Sequence, residues 1–277
     1  MGSPGFNRAP TLDKLGVYME TSADQIRDAL QAVAQLRQQH GANPLLQQAS
    51  IDIKRFQARR FQASYADLLQ SPRYKTAATF FLHELYGNKD YAERDQQFAR
   101  IANTIAKLFP QAVVNTAAAL AQVHALTEQL DDLMAHQWLK ENAQDGDCTR
   151  YIRCWRSVAD SAARHRQLDV VQLLGQALDS LTRQPGLRML LKLMRGPANA
   201  AGLSALQHFL EAGFDAFANM RGADEFLGLI SLRETEWIRS LFEDASVTCE
   251  TKLTHLMAAS PPHQASIYIN FHPDSFT

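Results

Sequence analysis

Apolar residues recur every three to four positions through most of the chain, and this period predicts helices nearly throughout. Strand-like alternation is confined to SIYINF, residues 266–271. A first helix is predicted over 22–40, with Ser22 as N-cap, Gln25 closing a capping box and Gly41 just past the end. A second starts at Pro44, a favoured first-turn residue, and runs to about Gln70. Its Ile53, Phe61, Tyr65, Leu68 and Leu69 share one face, with Arg55 and Arg59 opposite. Ser71–Pro72 breaks the run. A long helix from Pro110 to about Glu141 carries a stripe of Leu120, Val123, Leu130, Met134 and Trp138. Shorter helices follow over about 149–165, 168–182, 186–195, 202–221 and 223–243, separated at QPG, RGP and Gly222.

The fold these patterns predict is all-α, with about nine or ten helices packed as a multi-helix bundle in two closely associated halves. The polar, glycine-containing segment NAQDGDC, 142–148, sets the expected division into halves at 21–145 and 146–245. Residues 1–20 read as a flexible segment and 246–277, with SPPH and FHPD, as an irregular tail.

The stretch FFLHELYGNKDYAERD, 80–95, concentrates polar chemistry at a predicted corner. Gly87 is expected to end one helix as a left-handed cap, and Asp90 to start the next as N-cap with Glu93 as its box partner. On the first helix Tyr74, Ala78, Phe81 and Leu85 share a face, and His83 points nearly the other way with Thr76 and Thr79. His83 and Glu84 are neighbours rather than one turn apart, so the metal-binding H-E-x-x-H spacing is missing. On the second helix Tyr91, Phe98, Ile101, Ile105 and Leu108 form an apolar stripe with Arg94 inside it. A guanidinium among core residues requires an anionic or hydrogen-bonding partner. Either Glu84 supplies it and locks the corner, or Arg94 receives the carboxylate or phosphate of a ligand. The pattern recurs in EFLGLISLRETEWIRSLF, 225–242, where Arg233 lies among Phe226, Leu229, Ile230, Trp237 and Leu241, with Glu234 at the edge. The candidate ligand-binding centre is therefore Glu84, Tyr86, Arg94, Asp95, Arg233 and Glu234. In it the two arginines would fix an anionic group and a carboxylate would act as acid or base. Periodicity does not say whether the two helices meet.

Other polar spacings read as ordinary surface. His208 and Glu211 lie one turn apart but opposite Leu206, Phe209, Leu210, Phe214 and Phe217, and His124 with Glu128 reads as a helix-surface pair. Gly213, on the apolar side, is expected to let a neighbouring helix approach closely. No phosphate-cradling glycine loop, nucleophile elbow or di-iron spacing occurs, so neither metal nor cofactor is expected. A net charge of −1 over 277 residues gives no global attraction to nucleic acid or an anionic membrane. Nucleic acid is an unlikely partner on that ground. Three cysteines, Cys148, Cys154 and Cys249, form no C-x-x-C pair and fit a reducing compartment. The opening MGSPGFNRAP lacks an apolar core of the signal type, and charge interrupts every apolar run short of about 18 residues, so a cytoplasmic location without a membrane span is expected.

The segments FFLHELYGNKDYAERD and LMRGPANAAGLSALQHFLEAGFDAFANMRGADEFLGLISLRE resemble a family of uncharacterised, mostly proteobacterial proteins with the pattern FFxx[DE]LYGxxD[FY]xxRD. The matching positions are Phe80, Phe81, Glu84, Leu85, Tyr86, Gly87, Asp90, Tyr91, Arg94 and Asp95. The resemblance implies a bacterial cytosolic protein and adds no chemistry. Two functions are compatible with the residues. One is a non-enzymatic helical protein working by protein–protein interaction or self-association. The other is a binder of an anionic small molecule, or an enzyme, centred on Arg94 and Arg233.

Overall fold

The computed structural model describes residues 21–84, 87, 90–158 and 161–259. Among them the chain forms thirteen helices: α1 (Ser22–Ala42), α2 (Pro44–Ser64), α3 (Ala66–Gln70), α4 (Lys75–Glu84), α5 (Ala92–Leu108), α6 (Gln111–Trp138), α7 (Asp147–Val158), α8 (Ser161–Thr182), α9 (Leu187–Leu193), α10 (Arg195–Ala200), α11 (Ser204–Met220), α12 (Asp224–Glu243) and α13 (Ser246–Ala259). The described residues contain no strand, and SIYINF lies outside them.

The excess over nine or ten helices has local causes. The second expected helix is two, because Tyr65 at φ −124°, ψ 24° ends α2 and begins α3. The expected 186–195 element also breaks, into α9 and α10 at Met194. The tail read as irregular is helical over Ser246–Ala259, a stretch held by Leu253 and Cys249, both 0% exposed in the core. The caps shift by one residue at the start. Thr21, not Ser22, is the N-cap of α1, its hydroxyl accepting from the Asp24 amide at 3.2 Å while the Asp24 carboxylate receives the Thr21 amide. Asn43 caps α2 ahead of Pro44, its side chain accepting from the Leu46 amide.

Three apolar clusters make the core, and each crosses the 142–148 turn between α6 and α7. One joins Ile53, Phe56, Met134, Trp138 and Tyr151 to Ile238, Leu241 and Leu253. A second joins Phe61, Tyr65 and Phe81 to Phe217, Phe226 and Ile230. The third packs Ile26, Leu30, Phe98, Ile105 and Val114 with Leu206. Helix α2 takes part in the first two clusters, so its apolar face is shared by residues from both sides of the turn. Gly213 behaves as its position on the apolar face predicts: a Cβ there would lie 3.1 Å from the Phe80 ring, so α4 approaches α11 closely.

Candidate functional site

Helices α4 and α5 bring Glu84, Arg94 and Asp95 together at the corner. Arg94 Nη1 donates to Glu84 Oε2 at 3.0 Å, and its Nε and Nη2 donate to Asp95 Oδ1 at 3.1 and 3.0 Å. The guanidinium is held between the rings of Tyr91 and Phe209, with centroids 4.3 and 4.7 Å away. Every nitrogen of the fork thus meets a protein acceptor. Leu85 and Tyr86 lie outside the described residues.

Gly87 is flanked on both sides by residues outside the described ones. The close approach of the backbone requires a glycine there, since a Cβ would collide with the His83 carbonyl oxygen and the Tyr91 hydroxyl. That hydroxyl donates to the same carbonyl, tying the start of α5 to the end of α4. Asp90 accepts from the Ala92 amide at 2.9 Å in a tight turn, and Glu93 accepts from Gln97, so the expected capping box does not form. Leu108, expected in the α5 stripe, is 75% exposed because it occupies the last residue of the helix.

Asp95 is the hub of a larger network. Its Oδ2 accepts from Arg37 on α1 at 2.5 Å and meets His124 Nε2 on α6 at 2.9 Å. Burial alone would raise this carboxyl, but the hydrogen bond to His124, the charges of His124 and Arg94 and the hydrogen bond from Arg37 hold it well below the usual carboxylate range. Beside it Lys54 on α2 donates to both oxygens of Glu128 at 2.7 and 2.8 Å. Burial pushes Glu128 up, and the Lys54 ammonium more than offsets it and lowers its pKa. Gln57, one turn on from Lys54, donates to Asp131 at 2.9 Å. Burial dominates at Asp131, whose pKa is raised.

Lys54, Glu84, His124, Thr127, Glu128 and Asp131 line a cavity of about 20 Å³ with Gln57, Gly87 and Tyr91. That volume admits about one water molecule. The pairing of His124 with Glu128 as helix surface is corrected here: both are largely buried and face α2 and α5. No group of three or more His, Cys, Asp or Glu side chains among the described residues is arranged to hold a metal ion.

Arg233 and Glu234 belong to a separate cluster. Arg233 pairs bidentately with Asp67 at 2.7 and 2.8 Å and donates to the Ser64 carbonyl. Glu234 receives Arg60 through two bonds of 3.1 and 2.8 Å and the Tyr65 hydroxyl at 2.8 Å. The shared centre expected from sequence is therefore split, because neighbouring residues on α12 both turn to α2 and α3 rather than to the α4–α5 corner. Arg60, 2% exposed, is not among the candidates that the sequence singles out. It falls seven residues after Ile53 on the apolar face of α2, the same kind of position that marks Arg94.

Two further surfaces stand out. An open groove of about 540 Å³ runs between α12 and α13, with Arg233, Glu236, Trp237, Lys252 and His255 on its walls. Elsewhere α9 contributes no buried side chain. Met189, Leu190, Leu193 and Met194 stand 67%, 44%, 67% and 39% exposed. At about 100° per residue these four form one stripe, with Arg188, Leu191 and Arg195 opposite. That opposite side is fastened to α11: Arg188 to Asp215 at 2.9 Å, Arg195 to Glu211 at 2.5 Å, and the Leu191 carbonyl receiving Gln207 at 2.7 Å. The helix lies on the surface, its methionine and leucine stripe toward solvent and its arginines, themselves 56% and 61% exposed, paired along the α11 edge. The signal was legible in GLRMLLKLMRG, whose two arginines fall on the face opposite the stripe.

No described helix is long and apolar enough to cross a membrane. No curated protein and no solved structure matches the chain. The sequence profile of one family matches residues 36–248, a span that takes in α2 through α12, both polar clusters and the α9 stripe. On that match the chain belongs to the family described as Domain of unknown function (DUF8198).

Proposed function

We propose that the protein works by protein–protein interaction and without catalysis, and that α9 is the surface through which it binds. The solvent-facing stripe of Met189, Leu190, Leu193 and Met194 carries this reading. Its four exposed side chains present roughly 400 Å² of apolar surface, within the range of a functional patch on a monomer. Methionines at two of the four positions suit a surface that must adapt to what it meets. By contrast the corner around Arg94 is internally paired, and its cavity takes no more than about one water. We place the protein in a bacterial cytoplasm, which its free cysteines favour.

The test uses a Met189→Glu/Leu193→Glu variant of the full chain. Both residues are exposed, so the variant should keep the wild-type circular dichroism and Tm. A partner found by crosslinking and mass spectrometry, then remade from purified components, should bind wild type and lose at least tenfold in affinity for the variant. If no purified partner, a second copy included, distinguishes the two proteins, the reading is wrong.

The groove beside Arg233 favours a second reading, recognition of an anionic small molecule, because its size lies within the range of ligand sites and Lys252 and His255 join the arginine on its walls. Stabilisation by inorganic phosphate or citrate in a thermal-shift assay, abolished by Arg233→Ala, would support it. Equal responses in both proteins would exclude it.

A further inference from the structure

We propose that α9 is a strap latched to α11 by charge, which opens about Gly186 and Gly196 while the rest of the fold stays closed. This holds whether or not α9 binds a partner, because it concerns what keeps the helix in place. Apolar packing contributes little. From 187 to 197 every residue is exposed except Leu187 and Leu191, which are half-buried. On α11, by contrast, Leu206, Phe214, Phe217 and Met220 are buried. A segment with few buried apolar contacts opens at a small fraction of the global unfolding free energy and independently of the core. Nor do the seven residues of α9 hold themselves, since an isolated helix shorter than about 12 residues is marginal in water.

What remains is a polar latch. Gln207, Glu211 and Asp215 follow one another at four-residue spacing along one face of α11, and they take the Leu191 carbonyl, Arg195 and Arg188 in turn. Both arginines are more than half exposed, so salt weakens both pairs. Opening also changes the character of the surface. Closed, the two pairs cancel their charges. Open, α9 and its junction carry Arg188, Lys192 and Arg195 with no acidic residue, while α11 presents Glu211 and Asp215. Ionic strength, or a charged molecule competing for either row, therefore sets how much of the protein is open.

Both ends suit a pivot. Gly186 has φ +82°, in the left-handed region that glycine adopts without strain. At the other end Pro197 has no amide to offer the Leu193 carbonyl, which interrupts the helical ladder between α9 and α10. A Cβ at Gly196 would meet nothing within 4 Å, so nothing packs against the chain there. Just beyond, the chain is fastened. Ala198 is buried, and Arg100 of α5 donates to the Ala201 and Gly202 carbonyls at 2.7 and 2.8 Å. The opening is thus confined to α9 and Arg195.

Hydrogen exchange of the full chain at about 20 and about 500 mM NaCl tests this, because the screening length falls from about 20 to about 4 Å. Amides of 190–194 should exchange about fivefold faster at high salt, while those of 213–217 on α11 change by less than about twofold. Glu211→Arg should give the same acceleration at low salt. Arg195→Glu/Glu211→Arg, which reverses the pair, should return exchange to within about twofold of wild type. The wild-type salt dependence decides by itself if Glu211→Arg folds poorly. Exchange in α9 that is indifferent to salt, or that rises only together with α11, overturns the proposal. So does a folded Glu211→Arg that leaves α9 protected, or a reversed pair that fails to restore protection.

Discussion

Replacing Asp95 and Asp131 separately by asparagine sets two buried aspartates of one polar network against each other. Asp95 is 3% exposed and holds Arg37, Arg94 and His124 within 3.1 Å. Asparagine there keeps one acceptor oxygen, turns an amide donor toward another donor, takes the countercharge from Arg37 and leaves Arg94 with Glu84 alone. Breaking one side of such a buried pair costs about 3–5 kcal/mol. At about 2–4 °C per kcal/mol for a chain of this size, Tm should fall by about 6–20 °C. Asp131 is 4% exposed, but its hydrogen-bond partner is the neutral Gln57. Asparagine keeps the oxygen that Gln57 uses and removes a charge that burial disfavours. Its cost should be under about 1 kcal/mol, with a gain within reach. The pH dependence separates the two further. The Asp95 pKa is depressed in the fold, so its contribution is complete above the unfolded value of about 3.9 and disappears as pH falls below it toward the folded value. The Asp131 pKa is raised, so stability declines as pH climbs from about 3.9 through the folded value. Asp95→Asn should flatten the acid limb of the stability profile, and Asp131→Asn should remove the decline on the other side. Urea unfolding followed by the fluorescence of Trp138, Trp155 and Trp237, from pH 3 to 8, measures both. Equal losses for the two variants, or a loss below about 1 kcal/mol for Asp95→Asn, would refute the assignment of Asp95 as the hub.

Three other outcomes follow from the packing. Glu234→Ala should cost about 3–5 kcal/mol by removing the carboxylate that receives two bonds from the buried Arg60, whereas the double variant Arg60→Met/Glu234→Leu should be markedly less destabilised; a double-mutant cycle in urea decides it. Tyr151→Phe should be neutral or stabilising by about 1 kcal/mol, because the Tyr151 hydroxyl is fully buried without a hydrogen-bond partner among the described residues and burial pushes its pKa up to about 12. Gly87→Ala should cost about 1–3 kcal/mol, since the added methyl meets a backbone carbonyl that cannot step aside, and hydrogen exchange should rise first at the α4–α5 corner.

The sequence by itself determined the helical class, most of the helix positions and the demand that Arg94 find countercharge. These are short-range matters: a 3.6-residue period, a cap beside its own helix, and the cost of burying a charge are all fixed within a few turns. The α6 stripe at Val123, Leu130, Met134 and Trp138 is buried as its spacing requires. The break at Tyr65 and the helix over Ser246–Ala259 were not legible, because the first depends on how α2 and α3 seat against α12 and the second on a core that only the folded chain supplies. Tertiary structure alone decided which partners the charged residues took. His124 and Glu128 look like a surface pair until α2 and α5 close over them, and Arg233 looks like a companion of Arg94 until α12 docks against α2 and α3. The same holds for α9, whose apolar stripe stands toward solvent while its arginines pair with Asp215 and Glu211 of α11. Periodicity fixes which residues share a face, and long-range contacts fix what that face meets.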